Sequence, residues 1–383
     1  MKILQVIPYF YPAWRFGGPV RVAYDISRKL AERGHSVTVY TTDIQDENTR
    51  VKSSHRNVDG VDTYYFRNLS LYAASRKIFI TPSLIFALKD NVKNFDVVHV
   101  HGNRTTQSPL LHYFLKKNSV PYVIQAHGGL PSASGRKLKQ LYDLLFGYAL
   151  LKDASKVVAL TQTEAKQYLG MGVPKEEIAI IPNGINLSEY ANPLPKGSFK
   201  RKFRMKEEEK TVLYLGRIHE SKGLGMLAEA FSLVAKKIED ARLVLVGPDD
   251  GYASAFSTLA TALGIREKVF LTGFVNKENK LAALIDSDVF VTPRFYGFPI
   301  TFLEACVAGC PIVTTSDELD WIHDRVGFVT KNSASALADA IATILQDEAT
   351  RERSRNNCKA MVRNFDMSKI VSQLEKVYEE ASS

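Results

Sequence analysis

Short, nearly continuous apolar runs alternate with amphipathic helical patterns along all 383 residues, and this alternation constrains the fold more than any other feature. In the first half the runs are ILQVIP (3–8), VTVYTT (37–42), VDTYYF (61–66), DVVHVH (96–101), YVIQAH (122–127), KVVALT (156–161) and IAIIPN (178–183). In the second they are TVLYLG (211–216), RLVLVG (242–247), KVFLTG (268–273), DVFVTP (288–293), PIVTT (311–315) and GFVTK (327–331). Runs apolar throughout, without strict alternation, belong to parallel strands covered on both faces. Between them Leu224, Leu227, Ala228, Phe231, Val234, Ala235 and Ile238 recur at helical steps. The expected class is α/β with doubly wound sheets. A chain of this length exceeds one compact core. The stretch 186-NLSEYANPLPKGS-198, with two prolines and no periodicity, marks the expected division. That gives domains at 1–190 and 191–366, with a last helix over 367–383 whose packing the pattern does not reveal. Ligands of such folds bind at the carboxyl ends of the strands, so a cleft between two domains is the expected site of a two-substrate enzyme.

Composition argues against several classes. No apolar run approaches the ~20 residues of a membrane span. The opening MKILQVIPYF lacks the apolar core and cleavage site of a signal peptide and reads as a first strand. Cys306, Cys310 and Cys358 have no metal-ligand spacing, and the first two stand four apart on one helix, which suits packing. The expected location is the cytoplasm. Net charge is +9 and unevenly placed: residues 1–190 hold 24 Lys+Arg against 15 Asp+Glu, whereas 191–383 hold 26 against 26. A basic half fits an anionic partner (phosphorylated substrate, anionic membrane surface or nucleic acid), and it fits a well-solvated surface equally. Residues 71–90 and 136–156 mix bulky apolar side chains with Lys and Arg, as interfacial helices do. Helices covering a sheet share that pattern, and this plainer reading comes first. The alternative is peripheral attachment at a membrane's inner face, with a polyprenyl-diphosphate-linked sugar or another anionic glycolipid as acceptor.

Three strand-to-helix turns carry the candidate chemistry. After the first strand, Gly17-Gly18 precede a helix, where paired glycines let backbone N–H groups approach an anion. Arg21, in that helix's first turn, opposes the helix dipole unless an anion is present. A tight turn alone would also explain the glycines. In 217-RIHESKGLG-225, Arg217 follows a strand and Lys222 precedes a helix. Cations so placed repel unless a polyanion such as a diphosphate lies between them; two solvated charges are the alternative. No Walker lysine motif occurs and no G-x-G-x-x-G follows a strand, so neither a P-loop ATPase nor a dinucleotide enzyme is supported. The third turn, 294-RFYGFPITFLEACVAGCP-311, runs into an apolar helix whose single charge is Glu304. Burying a lone carboxylate is costly unless it is paired, and the vicinal hydroxyls of a ribose would give it a role. Asp286-Ser287-Asp288 has the form of a metal motif, but just before a buried strand capping is the commoner use. The cluster Asp317, Glu318, Asp320, His323 and Asp324 reads as a polar loop anchored by Trp321. His99 and His101 alternate with valines, one expected to pack and the other to near the cleft.

Taken in order, GGPVR, DVVHVHG, IPNGIN, GRIHESKG and GFPITFLEACVAGCPIV resemble the GT-B retaining glycosyltransferases of family four over nearly the whole chain. The resemblance implies an acceptor-binding amino domain, a nucleotide-sugar-binding carboxyl domain, and a terminal helix crossing back to the first domain. It also implies transfer from a nucleotide-diphosphate sugar to an acceptor hydroxyl in polysaccharide, glycolipid or O-antigen-like glycan assembly. With the charge imbalance and the basic, apolar stretches, the expected acceptor is an anionic or lipid-linked glycan, with no metal and no nucleic acid involved. Carried over by motif, Arg217 and Lys222 match the family's diphosphate-binding pair, and Glu304 the second Glu of its E-x7-E signature, which holds the ribose. Gly18, with Gly17 and Arg21 beside it, and the amides around Phe298, Pro299 and Ile300 match positions near the diphosphate and sugar, Gly297 allowing close approach. His127, in 126-AHGG-129, matches a histidine near the donor sugar, and Gly273-Phe274 a turn that lies against the base. The signature's first Glu would fall where Tyr296 stands, and Pro299 replaces a residue that is often glycine. Either the donor sugar differs from a common gluco-configured one, or catalysis is weakened. The competing readings are a non-catalytic nucleotide-sugar binder and another GT-B enzyme, an epimerase or phosphorylase. In the leading one, Arg217, Lys222 and helix amides stabilise charge on the β-phosphate, while His127 orients the sugar or a hydroxyl.

Overall fold

The computed structural model describes residues 1–46, 48–75, 78–130, 137–295, 297–323 and 325–383. Two compact units make up the chain: Met1–Gly184 with Met367–Ser383, and Ile185–Asp366. Residues 185–190 therefore group with the second unit.

The first unit holds β1 (Lys2–Val6), β2 (Ser36–Thr42), β3 (His55–Val58), β4 (Val61–Phe66), β5 (Val97–His101), β6 (Tyr122–Gln125), β7 (Lys156–Ala159) and β8 (Ile178–Ile180). They form one sheet in the order β3-β4-β2-β1-β5-β6-β7-β8, parallel except for the β3–β4 pair. Ile3 on β1 lies opposite Val37 on β2 and Val97 on β5, so the strand order reverses between β1 and β5. Apolar periodicity gives no strand at β3, because HRNV exposes all but Val58. What marks it is Asp59-Gly60, both at positive φ (51° and 85°), the two-residue turn whose twist suits an antiparallel hairpin.

The second unit holds β9 (Lys210–Leu215), β10 (Ala241–Val246), β11 (Val269–Gly273), β12 (Val289–Thr292), β13 (Ile312–Thr314) and β14 (Gly327–Val329), in the order β11-β10-β9-β12-β13-β14. Helix Leu224–Lys237 buries Leu224, Leu227, Phe231 and Val234 against a core that includes Val212, Tyr214 and Leu243 of the sheet. Each such side chain contributes about 1.5–3 kcal/mol. Here the order reverses between β9 and β12, whose pairing spans only Val212–Val289 and Leu213–Phe290. The strands then part, and a crevice opens at their carboxyl ends.

Both basic, apolar stretches of the first unit are interrupted. One yields helices Leu71–Ser75 and Pro82–Asn91; the other yields Lys137–Tyr142, a π-helical turn Asp143–Gly147, and Tyr148–Lys152. Leu84, Leu88, Leu150 and Leu151 cover the sheet, but Phe86, Leu141, Leu144, Leu145 and Phe146 face solvent, Leu144 at 72% exposure. The plainer reading of these stretches as sheet cover accounts for fewer than half of their described apolar side chains. Helix Met367–Ser382 buries Ile370, Val371, Leu374 and Tyr378 in the first unit, and its Glu375 pairs with Arg33 and His35. No helix among the described residues is long and apolar enough to cross a membrane.

Candidate functional site

In the second unit, a pocket of about 210 Å³ fills the crevice between β9 and β12. Its walls include Tyr214 and Leu215 from β9, Thr292 from β12, and Arg217, Lys222, Arg294, Pro299 and Thr301 from the following turns. Each turn is set by local chemistry. The Tyr214 hydroxyl donates to the Arg217 carbonyl (3.0 Å), and the His219 side chain accepts from Ser221 N–H (3.1 Å) at the start of the 3-10 turn Glu220–Lys222. Gly223 then adopts φ +73°, and a Cβ there would lie 3.1 Å from Pro293 and 3.3 Å from the Arg294 stem. That close approach brings the two turns together and puts Lys222 and Arg294 in one pocket.

Charge in the pocket is lopsided. Arg217 is paired with Asp250, while Lys222 and Arg294 have no ion-pair partner among the described residues. Burial, then the charge of Arg217, pulls the Lys222 amine below its ordinary pKa. A bound anion would relieve that cost. Arg294 was not among the residues singled out from sequence. Its relevance depends on the parting of β9 and β12, which no motif reports.

The other residues of this half sit as follows. Gly297 takes φ +67°, and Pro299 is the N-cap of helix Ile300–Ala308, whose first turn borders the pocket through Thr301. Phe298 is expected to contribute through its backbone; its ring packs with Trp321 and Phe365 at 6.0 and 5.3 Å, pinning the turn. Tyr296 lies outside the described residues. Glu304 is buried at 4% exposure and is not among the residues that line the pocket. Its Oε1 accepts from Lys280 Nζ and from the Tyr190 hydroxyl (3.1 Å), while Oε2 has no partner among the described residues. The expected lone carboxylate is therefore half satisfied internally, by residues far away in sequence. Phe274 follows β11 at 69% exposure and does not line the pocket. Asp286 accepts from the backbone N–H groups of Gly197, Phe199 and Lys200, and Asp288 from that of Thr211, so both carboxylates serve the backbone.

In the first unit, Gly17 takes φ +93° and Gly18 opens helix Gly18–Glu32; a Cβ at either would meet nothing within 4 Å. Arg21 has a carboxylate beside it, so the helix dipole does not act on it alone. Asp25 lies 2.7 Å from it, one turn along the helix, and the Trp14 and Tyr24 rings lie 5.7 Å from its guanidinium.

His127 follows β6 at φ +54°, a left-handed conformation that costs a non-glycine residue about 1 kcal/mol or more. Neighbours impose it. Glu164 accepts from Gly128 N–H and Leu160 N–H, both at 2.7 Å, and the Tyr168 hydroxyl accepts from Ala126 N–H at 3.1 Å. His127 Nε2 lies 2.8 Å from His101 Nδ1, and His101 stacks on His99 with centroids 4.2 Å apart. Both strand histidines are thus buried, rather than one packing and one nearing a cleft. Burial pushes His99 down to about 3, His127 to about 4, and His101 well below the usual histidine value. All three rings are neutral near pH 7.

Comparison with known proteins gives these arrangements a context. Residues 16–189 match the model for Glycosyltransferase Family 4, and residues 196–361 the model for Glycosyl transferases group 1. An uncharacterized glycosyltransferase of Methanocaldococcus jannaschii is 26% identical, over 99% of this chain and 98% of its own. The Escherichia coli UDP-Gal:alpha-D-GlcNAc-diphosphoundecaprenol alpha-1,3-galactosyltransferase is also 26% identical, over 82% of this chain and 81% of its own. Among solved structures, Anabaena HepE in complex with UDP and glucose superposes with a TM-score of 0.76 at 18% identity, covering 98% of each chain. Two largely parallel sheets whose strand order reverses, and relatives spanning nearly the whole length, agree: the chain belongs to the group 1 glycosyltransferases and has their GT-B fold.

Proposed function

We infer that this glycosyltransferase takes its sugar from a nucleotide-diphosphate sugar and passes it, with retention, to a hydroxyl of a lipid-linked anionic glycan. The observation that carries the donor half is the convergence of Arg217, Lys222 and Arg294 on one pocket at the β9–β12 switch point. With Asp250 as the carboxylate paired there, the excess of positive charge suits a diphosphate ester. Arg217 and Lys222 are the catalytic cations. As the acceptor oxygen bonds to the anomeric carbon, the bond from that carbon to the β-phosphate oxygen breaks. Charge gathers on the phosphate, where the cations and the amides beginning helix Ile300–Ala308 hold it. Attack on the face the diphosphate leaves lets the acceptor's proton pass to a phosphate oxygen and keeps the anomeric configuration. Side chains supply the positive charge that a metal would otherwise bring, so the reaction proceeds in a chelator. Glu304 Oε2 accepts from a ribose hydroxyl, Phe274 offers its ring to the base, Gly17 and Gly18 leave room near the donor, and His127 meets the sugar. Tyr296, in place of a carboxylate, selects a donor sugar of altered configuration.

The acceptor half rests on the first unit's surface. Residues 69–156 hold 12 Lys+Arg against 4 Asp+Glu, and the same stretch turns Phe86, Leu144 and Leu145 outward. Apolar side chains among cations suit the anionic inner face of a membrane and an acceptor anchored in it. The polyprenyl-diphosphate substrate named for the Escherichia coli relative is of this kind.

The test is a thermal-shift panel of UDP-, GDP- and ADP-sugars, followed by incubation of the best donor with a membrane extract, with and without EDTA. A donor-dependent shift lost in Arg217→Ala and Lys222→Ala supports the reading. Normal donor binding by both variants refutes it.

A further inference from the structure

Buried His99 and His101 and half-buried His127 of the first unit belong to a hydrogen-bonded chain whose proton positions follow from one end. Gln5, in the middle of β1, places Oε1 at 2.7 Å from His101 Nε2 and Nε2 at 3.4 Å from the Tyr378 hydroxyl. An amide oxygen only accepts, so His101 carries its proton on Nε2. Because His101 is neutral, its Nδ1 holds a lone pair, and the group 2.8 Å away, His127 Nε2, must be the donor. His127 is neutral too, so its Nδ1 is a bare acceptor, buried and without a partner among the described residues. The ring cannot easily turn to escape this arrangement. It lies nearly parallel to His101 (13° between planes), on a turn held by Glu164 and Tyr168.

We propose that Gln5 and His101 are positioning residues that fix His127 as the Nε2–H tautomer, so that its Nδ1 accepts a hydrogen bond from a hydroxyl of the ligand. This rests on the reading that His127 meets a sugar. It adds which kind of group the ring recognises and what enforces that choice. A lone pair at Nδ1 attracts a hydroxyl and repels a carboxylate or phosphate oxygen, so this point of the site selects a neutral polyol. No residue of the chain's motifs marks Gln5 for the role; only the pairing of β1 with β5 and of β5 with β6 brings the three side chains into line.

Nitrogen-15 spectroscopy of the full chain labelled at histidine tests the tautomer directly, with His127→Asn assigning the ring. The expected spectrum shows His127 and His101 neutral at pH 7 with the proton on Nε2. A His127 proton on Nδ1 overturns the proposal, whether or not the protein transfers sugar. Gln5→Met removes the acceptor and should leave His127 a mixture of tautomers, with kcat/KM lower by about tenfold, the worth of one hydrogen bond. Gln5→Glu keeps an acceptor and should restore both. An unchanged His127 tautomer in a folded Gln5→Met protein overturns the proposal as well. Should Gln5→Met fail to fold, the wild-type spectrum still decides. Adding the best-binding sugar nucleotide of the panel should shift the His127 Nδ1 signal, while the matching free diphosphate should not. Identical responses to the two remove the hydroxyl contact. A correct tautomer in a protein that transfers no sugar would instead refute the wider functional reading.

Discussion

The two units share one plan, a doubly wound parallel sheet with helices on both faces, but dispose of charge and apolar surface in opposite ways. In the second unit positive charge converges on a crevice, and the surface is otherwise balanced and polar. In the first, positive charge spreads over a surface that also carries apolar side chains. Among the described residues, every large exposed apolar side chain except Leu194, Leu233 and Phe274 belongs to the first unit. The polar groups that the first unit buries at its strand ends are neutral rings and amides rather than cations. A fold of this kind fixes where ligands bind, at the strand ends. Which ligands they are is left to the turns.

The largest effect expected from breaking this contrast is loss of the second unit's cations. Arg217→Ala and Lys222→Ala should each lower kcat by about 10²–10³-fold, as removing a group that stabilises a developing anion does. Vesicle binding should stay as in the wild type, because the apolar side chains lie elsewhere. A transfer assay beside vesicle flotation checks both halves, and loss of flotation in either variant would break the separation.

Acid should act on the first unit. Burial holds His99 near about 3 and His127 near about 4 in the folded chain, whereas an unfolded histidine titrates near about 6.5. The unfolded state therefore binds more protons at pH 5. Stability is full above about pH 6.5 and is lost as pH falls toward the folded values, by about 2 kcal/mol per ring at pH 5. Thermal melts at pH 7 and pH 5 should show the fall, and His99→Phe should reduce it. The second unit's His219 and His323 are not buried, and an equal acid response confined to that unit would contradict the assignment.

Replacing Leu144 and Leu145 by Glu should weaken flotation with anionic vesicles by about tenfold or more, from lost apolar burial and added repulsion. Nucleotide binding should be unaffected. If neutral and anionic vesicles bind equally well, the charge on this face has no part in attachment. Smallest is Arg294→Ala, expected to weaken donor binding by about tenfold, the worth of one charge-assisted hydrogen bond. Arg294→Lys should recover part of the loss in calorimetric titrations.

Much of the scaffold was legible because both-face burial writes an unbroken apolar run into each strand. The strand β3 escaped because it is an edge strand with water on it, although its Asp59-Gly60 turn is a local signal in its own right. Arg217 and Lys222 could be read because they flank a single turn. The Arg21–Asp25 pair was equally local, four residues apart on one helix, yet reading Arg21 against the helix dipole alone passed over it. Other features were out of reach for a physical reason. Glu304 meets Lys280 and Tyr190, and Gln5, His99 and Tyr378 come together across most of the chain. Such pairings depend on strand order and helix docking, which no window of sequence contains. Leu144 and Leu145 face outward because the buried positions Asp143, Gly147, Leu150 and Leu151 recur at steps of three and four that pass them by.

Helix Met367–Ser382 belongs to the unit that begins with the first strand, and Tyr378 closes a contact with His99 inside it. During synthesis the intervening unit can reach its native state while the earlier one still lacks a wall. The oldest strands of the nascent chain must wait, with apolar surface uncovered, until residue 378 has cleared the ribosome. Truncation a few turns before Tyr378 would then be felt as a folding defect at the first strands.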